Sequence, residues 1–351
     1  MNLLLTSAGR RGYLVNYFKE ALGDEGEVHV ANSSNSTAIM YGDKSVITPL
    51  IYDGNYIPFL KNYCQENHIE AIIPLLDIDL PILTNSIKEF NEIGVNVIVS
   101  GKEIINICND KWETYKFLIS YDFQTPKTFL KISDALNAIE QGKMKFPLIV
   151  KPRWGMGSIS IFEADNLNEL EVLFEKAKTD IRDSYLSYES NLDNQLSVII
   201  QEKLSGQEYG LDIINDLNGK YMNTIVKKKC SMRSGETDIA ETLKDEALEL
   251  VGKSLAALTK HIGNLDVDAF VVDGVSYILE MNARFGGGYP FSHYAGVNLP
   301  KAIVSWLKKE KVDPAILKAK IGVIGYKDIQ IIGDEAVSVM KKSEEALDYR
   351  K

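Results

Sequence analysis

The chain has 351 residues, of which 45% are hydrophobic and 25% charged, and its formal net charge at pH 7 is −10. This length exceeds what one hydrophobic core usually holds, so we expect two or three packed units. The acidic balance argues against a nucleic-acid partner, because phosphate backbones are bound by a clustered surplus of Lys and Arg. The apolar run at residues 2–7 is too short for a signal sequence or a membrane span, so we expect a cytoplasmic protein without membrane contact.

Short apolar runs and amphipathic stretches alternate through the first hundred residues. This β-α-β-α order is typical of a parallel sheet buried between helices, so we predict a Rossmann-like first domain. Ligands of such sheets bind beyond the carboxyl ends of the strands. The loop at residues 6–12 (TSAGRRG), which follows the first strand, is therefore a candidate binding site. The apolar runs lie at residues 2–7, 27–31, 71–74 and 95–99, and the amphipathic stretches at residues 11–22, 56–67 and 80–91.

Two glycines and two adjacent arginines define this loop. Its G-x-x-G spacing differs from the dinucleotide fingerprint G-x-G-x-x-G, and no acidic residue closes the following strand before Asn32, which disfavours a nicotinamide dehydrogenase. Arg10 and Arg11 could clamp a carboxylate or phosphate in bidentate fashion. A solvated helix start explains the two arginines equally well.

The remainder of the chain has a mixed α and β pattern. We expect loops at residues 182–194 and 230–237, and the charged segment from residue 310 is the least informative. Residues 265–281 are predicted as a hairpin around Asp273-Gly274, and another hairpin signal lies at residues 217–219. Helices are predicted at residues 104–118, 134–141, 167–178 and 242–261, and strands at residues 146–151, 158–163, 198–202, 209–216 and 221–229.

The cysteines and histidines give no sign of a metal or redox site. Cys64, Cys108 and Cys230 are odd in number and lack C-x-x-C spacing, so we expect reduced, packed thiols. The four histidines are scattered along the chain.

Lys151 is delivered by an apolar strand to a glycine loop, residues 151–158 (KPRWGMGS). Glycines allow backbone N–H groups to approach a phosphate closely, and the lysine adds a point charge. The lysine precedes the glycines, so the segment is not a P-loop. A loop that covers phosphates is the functional interpretation, and a plain hairpin turn is the alternative.

The second group of polar residues lies on the hairpin at residues 265–281 and just beyond it. The oxygens of Asp268, Glu280 and Asn282 are hard ligands suited to Mg²⁺, although acids at strand ends are more often only solvated. A three-residue loop would pair Asp268 with Glu280 and leave Glu280 and Asn282 on one face, whereas a two-residue turn would put Asp268 on the other face. We predict the three-residue loop. Arg284 would share that face and could reach a phosphate if the strand continues.

Together these motifs occur in the order and spacing of the ATP-grasp superfamily. The chain resembles in particular the synthetase halves of the carbamoyl phosphate synthase large subunit and the single-module relatives that include the pyrrolysine-pathway ligase. Only one module is present, so carbamoyl phosphate synthesis is not expected. The matching elements are Lys111 near a helix start, Lys151 before the glycine loop, residues 201–208 (QEKLSGQE), Asp268, and residues 280–284 (EMNAR).

The resemblance implies both the domain organisation and an α/β and α+β fold class. A Rossmann-like pre-ATP-grasp domain would occupy residues 1–103, and an ATP-grasp domain would occupy residues 104–309. The latter would contain a lid subdomain at residues 122–199 and an antiparallel-sheet subdomain for metal and nucleotide at residues 200–309, followed by a C-terminal extension at residues 310–351.

The resemblance also implies the ligands and the residues that hold them. Asp268, Glu280 and Asn282 would bind Mg²⁺, with two ions expected and Mn²⁺ as an alternative. Residues 203–204 would read the adenine ring through their backbone groups. The residues implied to bind ATP are Lys111, Lys151, Gly155, Gly157, Ser158, Glu202, Lys203, Leu204 and Glu208.

The implied reaction is ligation of a small carboxylate to an amine through an acylphosphate, with release of ADP and phosphate. Lys151, Arg284 and Arg233 are the catalytic candidates, and a solvated position is the alternative for Arg233. A non-catalytic ATP-binding regulatory protein and a kinase that releases a phosphorylated carboxylate stay open, as does a homodimer. Substrate contacts are expected at Ser7, Arg10, Arg11, Asp77, Gly287 and Tyr289.

Overall fold

The structure is a computed structural model that describes residues 1–155, 159–191, 193, 196–329 and 331–332. The described residues form three β-sheets, one parallel and two antiparallel. None of the described helices is both long and apolar enough to cross a membrane.

The first sheet is parallel and confirms the Rossmann-like prediction. Its strand order is β3-β2-β1-β4-β5, and β3 lies in a stretch where no strand was predicted. The helix predicted at residues 80–91 is two short helices that meet at Ser86. The strands are β1 (Asn2–Thr6), β2 (Val28–Asn32), β3 (Lys44–Ile47), β4 (Ile69–Pro74) and β5 (Asn96–Val97), and the helices are α1 (Gly12–Leu22), α2 (Tyr56–Glu66), α3 (Asp79–Asn85) and α4 (Ile87–Glu92).

Two helices connect the first sheet to the rest of the chain. They are α5 (Lys102–Asn109) and α6 (Lys111–Ser120), which the sequence pattern merged into one helix. The break is at Asp110, whose extended backbone ends α5 and whose side chain caps α6. Because of this break, Lys111 is the first residue of α6.

The second sheet has its own hydrophobic core. Its strand order is β6-β9-β7-β8, and its buried cluster contains no residue of the other two sheets. A short helix lies where a loop was predicted at residues 182–194. The elements are β6 (Thr128–Phe129), α7 (Ile132–Glu140), β7 (Leu148–Pro152), β8 (Phe162–Ala164), α8 (Leu167–Arg182), α9 (Ser187–Ser190) and β9 (Val198–Glu202).

The third sheet is antiparallel, with strand order β14-β13-β10-β11-β12-β15. The predicted loop at residues 230–237 is wrong, because these residues form the β11–β12 hairpin. The helix predicted from residue 242 begins at Glu246, since the residues before it complete β12. The elements are β10 (Gln207–Asn215), β11 (Tyr221–Arg233), β12 (Glu236–Leu243), α10 (Glu246–Thr259), β13 (Gly263–Val272), β14 (Val275–Asn282), α11 (Tyr289–Tyr294), α12 (Leu299–Leu307) and β15 (Ile324–Tyr326).

The first and third sheets share their hydrophobic packing. One buried cluster joins Leu4 and Ile72 of the first sheet to Val267 and Met281 of the third. The domain boundaries stay a prediction. β9 spans the predicted boundary at residues 199–200, yet all of it hydrogen-bonds within the second sheet. β15, from the predicted C-terminal extension, pairs with β12 of the third sheet.

The three thiols differ in exposure. Cys64 and Cys108 are buried, as expected, whereas Cys230 is exposed on β11 and is not a packed thiol. Burial raises the pKa of Cys64 and of Cys108 to about 12. The two buried thiols therefore stay protonated at neutral pH.

Candidate functional site

The β13–β14 hairpin brings the predicted metal ligands together, by a different route from the one predicted. The turn has only two residues, Asp273 and Gly274, both with positive φ (50° and 80°), so the predicted three-residue loop is wrong. Asp268 nevertheless pairs with Glu280, because a bulge leaves Leu279 without a partner on β13. A bulge shifts the register by one residue, and here it turns the carboxylates to the same face.

The central cleft lies where the three sheets approach one another. Its walls are β7 and the residues that flank β8, the start of α6, the inward face of the third sheet, and the loop before α1. The glycines after β14 complete it. The lining residues are Arg11, Lys111, Lys151, Pro152, Gly155, Ile159, Ile161, Gly210, Lys227, Lys229, Gly235, Glu236, Thr237, Ala240, Asp266, Asp268, Glu280, Asn282, Arg284, Gly287, Gly288 and Phe291.

Lysines neutralise both carboxylates of the predicted metal set. The Lys111 ammonium is 3.6 Å from Glu280 Oε1 and donates a hydrogen bond of 2.6 Å to the carbonyl of Gly155. The Lys229 ammonium is 2.7 Å from Asp268 Oδ1 and 2.6 Å from Glu208 Oε1. Lys229, which the sequence did not single out, therefore bridges Asp268, a predicted metal ligand, and Glu208, one of the residues implied to bind ATP.

The charges in this part of the cleft shift one another's pKa. Burial lowers the pKa of Lys151 to about 8, with the Glu280 carboxylate opposing the shift and Lys111 adding to it. Burial alone would raise the pKa of Glu280, but Lys111, Lys151 and Arg284 hold it below its ordinary value. Glu280 is therefore a carboxylate surrounded by positive charge, and Lys151 is a cation only partly compensated.

The donor set fits a Mg²⁺ ion that arrives with phosphate. Asp268, Glu280 and Asn282 provide two carboxylates and an amide, and the described residues contain no group of three or more acidic, His or Cys side chains arranged to hold a metal alone. Mg²⁺ prefers one or two carboxylates completed by water and phosphate oxygens. The individual metal and phosphate roles of these residues stay predictions.

Asp110 fixes the position of Lys111 relative to the glycine loop. Its side chain accepts hydrogen bonds from the backbone N–H of Trp112 (2.9 Å) and of Glu113 (3.3 Å), which caps α6. The same carboxylate makes a bidentate ion pair with Arg153 at 2.8 and 2.7 Å. An aspartate directly before a helix start is a sequence signal for such a cap.

The glycine loop that was predicted to cover phosphates lies only partly within the described residues. Gly155 lies in the cleft beside Lys111, whereas Gly157 and Ser158 lie outside the described residues. The segment between β9 and β10 corresponds to the predicted adenine site. There Glu202 is half-buried and accepts the backbone N–H of Lys127 at 3.3 Å.

The other residues of this segment make contacts of different kinds. The Lys203 ammonium donates a hydrogen bond of 2.6 Å to Glu163 Oε1 on β8, and the residue is not part of the cleft lining. Only the backbone of Lys203 is therefore available to contact an adenine ring. Leu204 is half-buried. These placements agree with backbone recognition of a base, which stays a prediction.

Arg284 occupies the end of the cleft nearest the first domain. It donates to Asp77 Oδ2 through Nη2 (2.8 Å) and Nε (3.1 Å), and through Nη1 to Asp266 Oδ2 (3.2 Å). Burial would lower the pKa of Arg284, but the Asp77 and Asp266 carboxylates raise it above its ordinary value. Arg11 lies beside it and donates to the carbonyl of Phe285 at 2.9 Å.

Four residues that were predicted to contact substrate or to act in catalysis do not line the central cleft. Ser7 turns inward and donates to Asp79 Oδ2 at 3.0 Å. Arg10 is 89% exposed, with its side chain directed towards solvent. Arg233 ends β11 and is paired with Asp238 at 2.6 Å, outside the cleft lining.

Tyr289 is the fourth of these residues. It is fully buried, and its hydroxyl donates to the carbonyl of Val297 at 3.1 Å and accepts the backbone N–H of Leu299 at 3.0 Å. Its neighbours Gly287 and Gly288 do line the cleft.

A buried ionic cluster beneath the cleft floor was missed by the sequence reading. Asp212 of β10 is fully buried and contacts Lys227, Ser292 and Asn264. Lys227 also lines the cleft beside Gly288. An acid inside the apolar run GLDII is the available signal, because a buried carboxylate needs a partner.

Family models match both parts of the chain. Residues 3–98 match the model of the PylC-like N-terminal domain, and residues 108–288 match the model of the ATP-grasp domain. The second match covers more than half of the chain. The protein therefore belongs to the ATP-grasp superfamily, and its cofactors are ATP and Mg²⁺, as predicted.

Sequence relatives are distant and longer. The chain is 22% identical over 339 residues to the carbamoyl phosphate synthase large chain of Methanoregula boonei, which covers 90% of this chain and 30% of that one. It is 22% identical over 245 residues to the corresponding protein of a Thermoanaerobacter species, with 67% and 21% covered. The chain thus spans less than a third of the length of these relatives.

Solved structures share the fold. The biotin carboxylase of Campylobacter jejuni superposes with a TM-score of 0.70 at 16% identity, over 91% of this chain and 73% of that one. The L-amino acid ligase of Bacillus licheniformis gives 0.68 at 20% identity, over 94% and 81%. At these identities the likeness establishes the fold alone.

Proposed function

We propose that the protein is an ATP-dependent ligase that joins a small carboxylate to an amine through an acylphosphate. The observation that carries the proposal is the course of β14 and the segment after it. Glu280 and Asn282 lie at the end of the central cleft that contains Lys111, Lys151 and Lys229, which we call the lysine-rich end. Arg284 lies at the other end, next to the first domain. This one segment would therefore connect a site for Mg·ATP to a site for a second substrate.

Phosphoryl transfer would take place at the lysine-rich end. Lys111 and Lys151 would hold the phosphates, and Asp268, Glu280 and Asn282 would hold Mg²⁺, which neutralises charge on the β- and γ-phosphates when bound. A carboxylate oxygen of the substrate would attack the γ-phosphorus, and the bond to ADP would break.

Arg11, Arg284 and the glycines after β14 would hold the carboxylate substrate. The two guanidinium groups lie side by side at the cleft end, and Gly287 and Gly288 offer backbone N–H groups without side chains in the way. Such groups stabilise the negative oxygen that develops when an amine attacks the acyl carbon. The C–N bond forms as the bond to phosphate breaks.

The names of the similar proteins support this class of reaction. They include an L-amino acid ligase and an N5-carboxyaminoimidazole synthetase that was solved with ADP. Both names describe ligation or synthesis, and neither identifies the substrates of this chain.

Product analysis tests the proposal. The protein with Mg·ATP would be screened against small carboxylates in the presence of hydroxylamine, which traps an acylphosphate as a hydroxamate. We expect carboxylate-dependent release of ADP and hydroxamate. A stable phosphorylated product that hydroxylamine does not consume would indicate a kinase, and ATP binding without turnover for any carboxylate would indicate a regulatory protein. Light scattering in the same buffer would test the expected homodimer.

A further inference from the structure

A group of aromatic and acidic side chains lies at the junction of the first domain and the second sheet. The rings of Tyr52, which follows β3, and Tyr188, on α9, stack with centroids 4.4 Å apart and an angle of 12° between their planes. Glu189, beside Tyr188, acts electrostatically on Tyr52, and Asp77, which follows β4, acts on Glu189. We call Tyr52, Asp77, Tyr188 and Glu189 the junction pocket.

Asp77 has one oxygen that is occupied and one that is not. Its side chain is buried, with the residue 6% exposed, and Oδ2 receives both hydrogen bonds from Arg284. Oδ1 is buried and has no hydrogen-bond partner among the described residues. A buried carboxylate oxygen without a donor costs free energy, so the site is incomplete without a further donor.

Glu189 is a second carboxylate without a partner among the described residues. The residue is half-buried, and its side chain makes no hydrogen bond or ion pair with the described part of the chain. Burial, followed by the negative charge of Asp77, raises the pKa of Glu189 to about 7, with Lys111 opposing. Asp77 and Glu189 therefore act on each other across the junction.

The cations that act on these two acids are already engaged elsewhere. Lys111 is already 3.6 Å from Glu280 and donates to the carbonyl of Gly155. Arg284 uses its Nε and Nη2 on the other oxygen of Asp77. The junction pocket thus combines unpaired negative charge with two aromatic rings, which is the chemistry that recognises an ammonium group.

We propose that the junction pocket binds the ammonium group of the amine substrate. The inference rests on the proposed function and names the place and charge of its second substrate. Asp77 Oδ1 and Glu189 accept the N–H groups, and the stacked tyrosines provide the apolar wall. Arg284, which bonds Asp77 directly, connects the junction pocket to the end of the central cleft where the acylphosphate forms.

The position of Glu189 also accounts for the proton. An ammonium nitrogen has no free electron pair, so it must lose a proton before it attacks the acyl carbon. The Glu189 carboxylate accepts this proton, the C–N bond forms, and the C–O bond to phosphate breaks with its electron pair on the phosphate, which takes up the second proton that the nitrogen loses as it becomes an amide. The step is balanced and needs no further reactant.

Glu189→Gln tests whether Glu189 serves the amine substrate and not the carboxylate substrate. With a carboxylate that yields hydroxamate, amine use would be measured with the proteinogenic amino acids and putrescine as probes. We expect Glu189→Gln to raise the KM for the best of these amines about 30-fold, because a hydrogen bond to a charged group is lost. Hydroxamate formation should stay near the wild-type rate, since hydroxylamine is uncharged at neutral pH. Tyr188→Ala should also raise the amine KM and spare hydroxamate formation.

The control is Glu175→Gln, at an exposed acid on α8 whose carboxylate pairs with Lys178 and with no other described residue. An unchanged amine KM in both Glu189→Gln and Tyr188→Ala, with hydroxamate formed normally, would overturn the inference and leave the proposed function standing. Absence of hydroxamate from the wild-type protein with every carboxylate would overturn the proposed function, and the inference with it.

Discussion

The two ends of the central cleft, one at the predicted metal ligands and the other at Arg284 with the adjoining junction pocket, both have carboxylates nearby but differ in how their charge is balanced. At the end with the predicted metal ligands, Asp268 faces Lys229 and Glu280 faces Lys111. At the end near the first domain, Asp77 keeps one oxygen without a donor, and Glu189 has no ion pair among the described residues. The first end is neutralised by the protein itself, whereas at the second the described residues offer no cation for these two groups. A ligase that binds an anionic nucleotide at one end and an ammonium at the other needs this asymmetry.

Glu280→Gln should have the largest effect on this comparison. The change removes a predicted metal ligand and the counter-charge of Lys111 and Lys151, so we expect turnover to fall about 100-fold or more. The measurement is the initial rate of ADP release as a function of Mg²⁺ concentration. Glu163→Gln is the control, because Glu163 is an exposed acid whose one ion pair within the described part of the chain is with Lys203. A wild-type Mg²⁺ dependence in Glu280→Gln would contradict the metal assignment.

Arg284→Lys tests whether the two ends communicate through this arginine. Lysine keeps the charge but cannot make the bidentate bond to Asp77, so we expect kcat/KM for the carboxylate to fall about 30-fold. Hydroxamate formation over a range of carboxylate concentrations measures it. Arg10→Lys, at a residue that is 89% exposed, should change little. Equal losses in the two variants would argue against a specific role for Arg284.

Most of the lysine-rich end could be predicted from the sequence, because its residues lie in short motifs of fixed spacing. Asp268 and Glu280 were expected to pair, and they do, although the assumed loop was wrong. The actual turn and the bulge at Leu279 compensate each other by one residue. Periodicity alone cannot reveal a bulge, since it places an extra residue without changing the residue types.

The end near the first domain could be predicted only in part, since its contacts join distant segments. The ion pair between Asp77 and Arg284 spans 207 positions of the chain. Ser7 and Tyr289 were expected at substrate because of their neighbours, yet their hydroxyl groups hydrogen-bond inside the protein. Glu189 lies in a polar stretch that predicts only a loop. Which side chains of a loop turn inward depends on tertiary packing, which the sequence pattern does not contain.

Asp110→Asn tests the rigidity of the lysine-rich end. The change keeps the size of the side chain and its capping ability but weakens the ion pair with Arg153, so Lys111 should lose its fixed position relative to the glycine loop. We expect the KM for ATP to rise about 10-fold, because small displacements of positioning groups are costly. ATP titrations of ADP release measure it. Asp193→Asn, which weakens the longer 3.7 Å contact to Arg153 and leaves an oxygen to accept the backbone N–H of Leu196, is the matched control. An effect as large in Asp193→Asn would shift the positioning role away from Asp110.

The pH dependence of unfolding tests the unbalanced end without any substrate. Burial and Asp77 raise the pKa of Glu189 from 4.5 to about 7, against the influence of Lys111, while Asp110 adds to the shift. Between these two pKa values the unfolded chain has lost a proton that the folded chain still holds, so stability falls as the pH rises through this window.

Glu189→Gln should remove this penalty. We expect the free energy of unfolding of the variant, relative to wild type, to improve by on the order of 1 kcal/mol between about pH 5 and about pH 8, discounted because Glu189 is only half-buried. Urea denaturation at the two pH values measures the difference, and Glu175→Gln should show none. If the variant gained equally at both pH values, Glu189 would not be short of a cation in the folded protein. The asymmetry between the two ends would then reduce to the single free oxygen of Asp77.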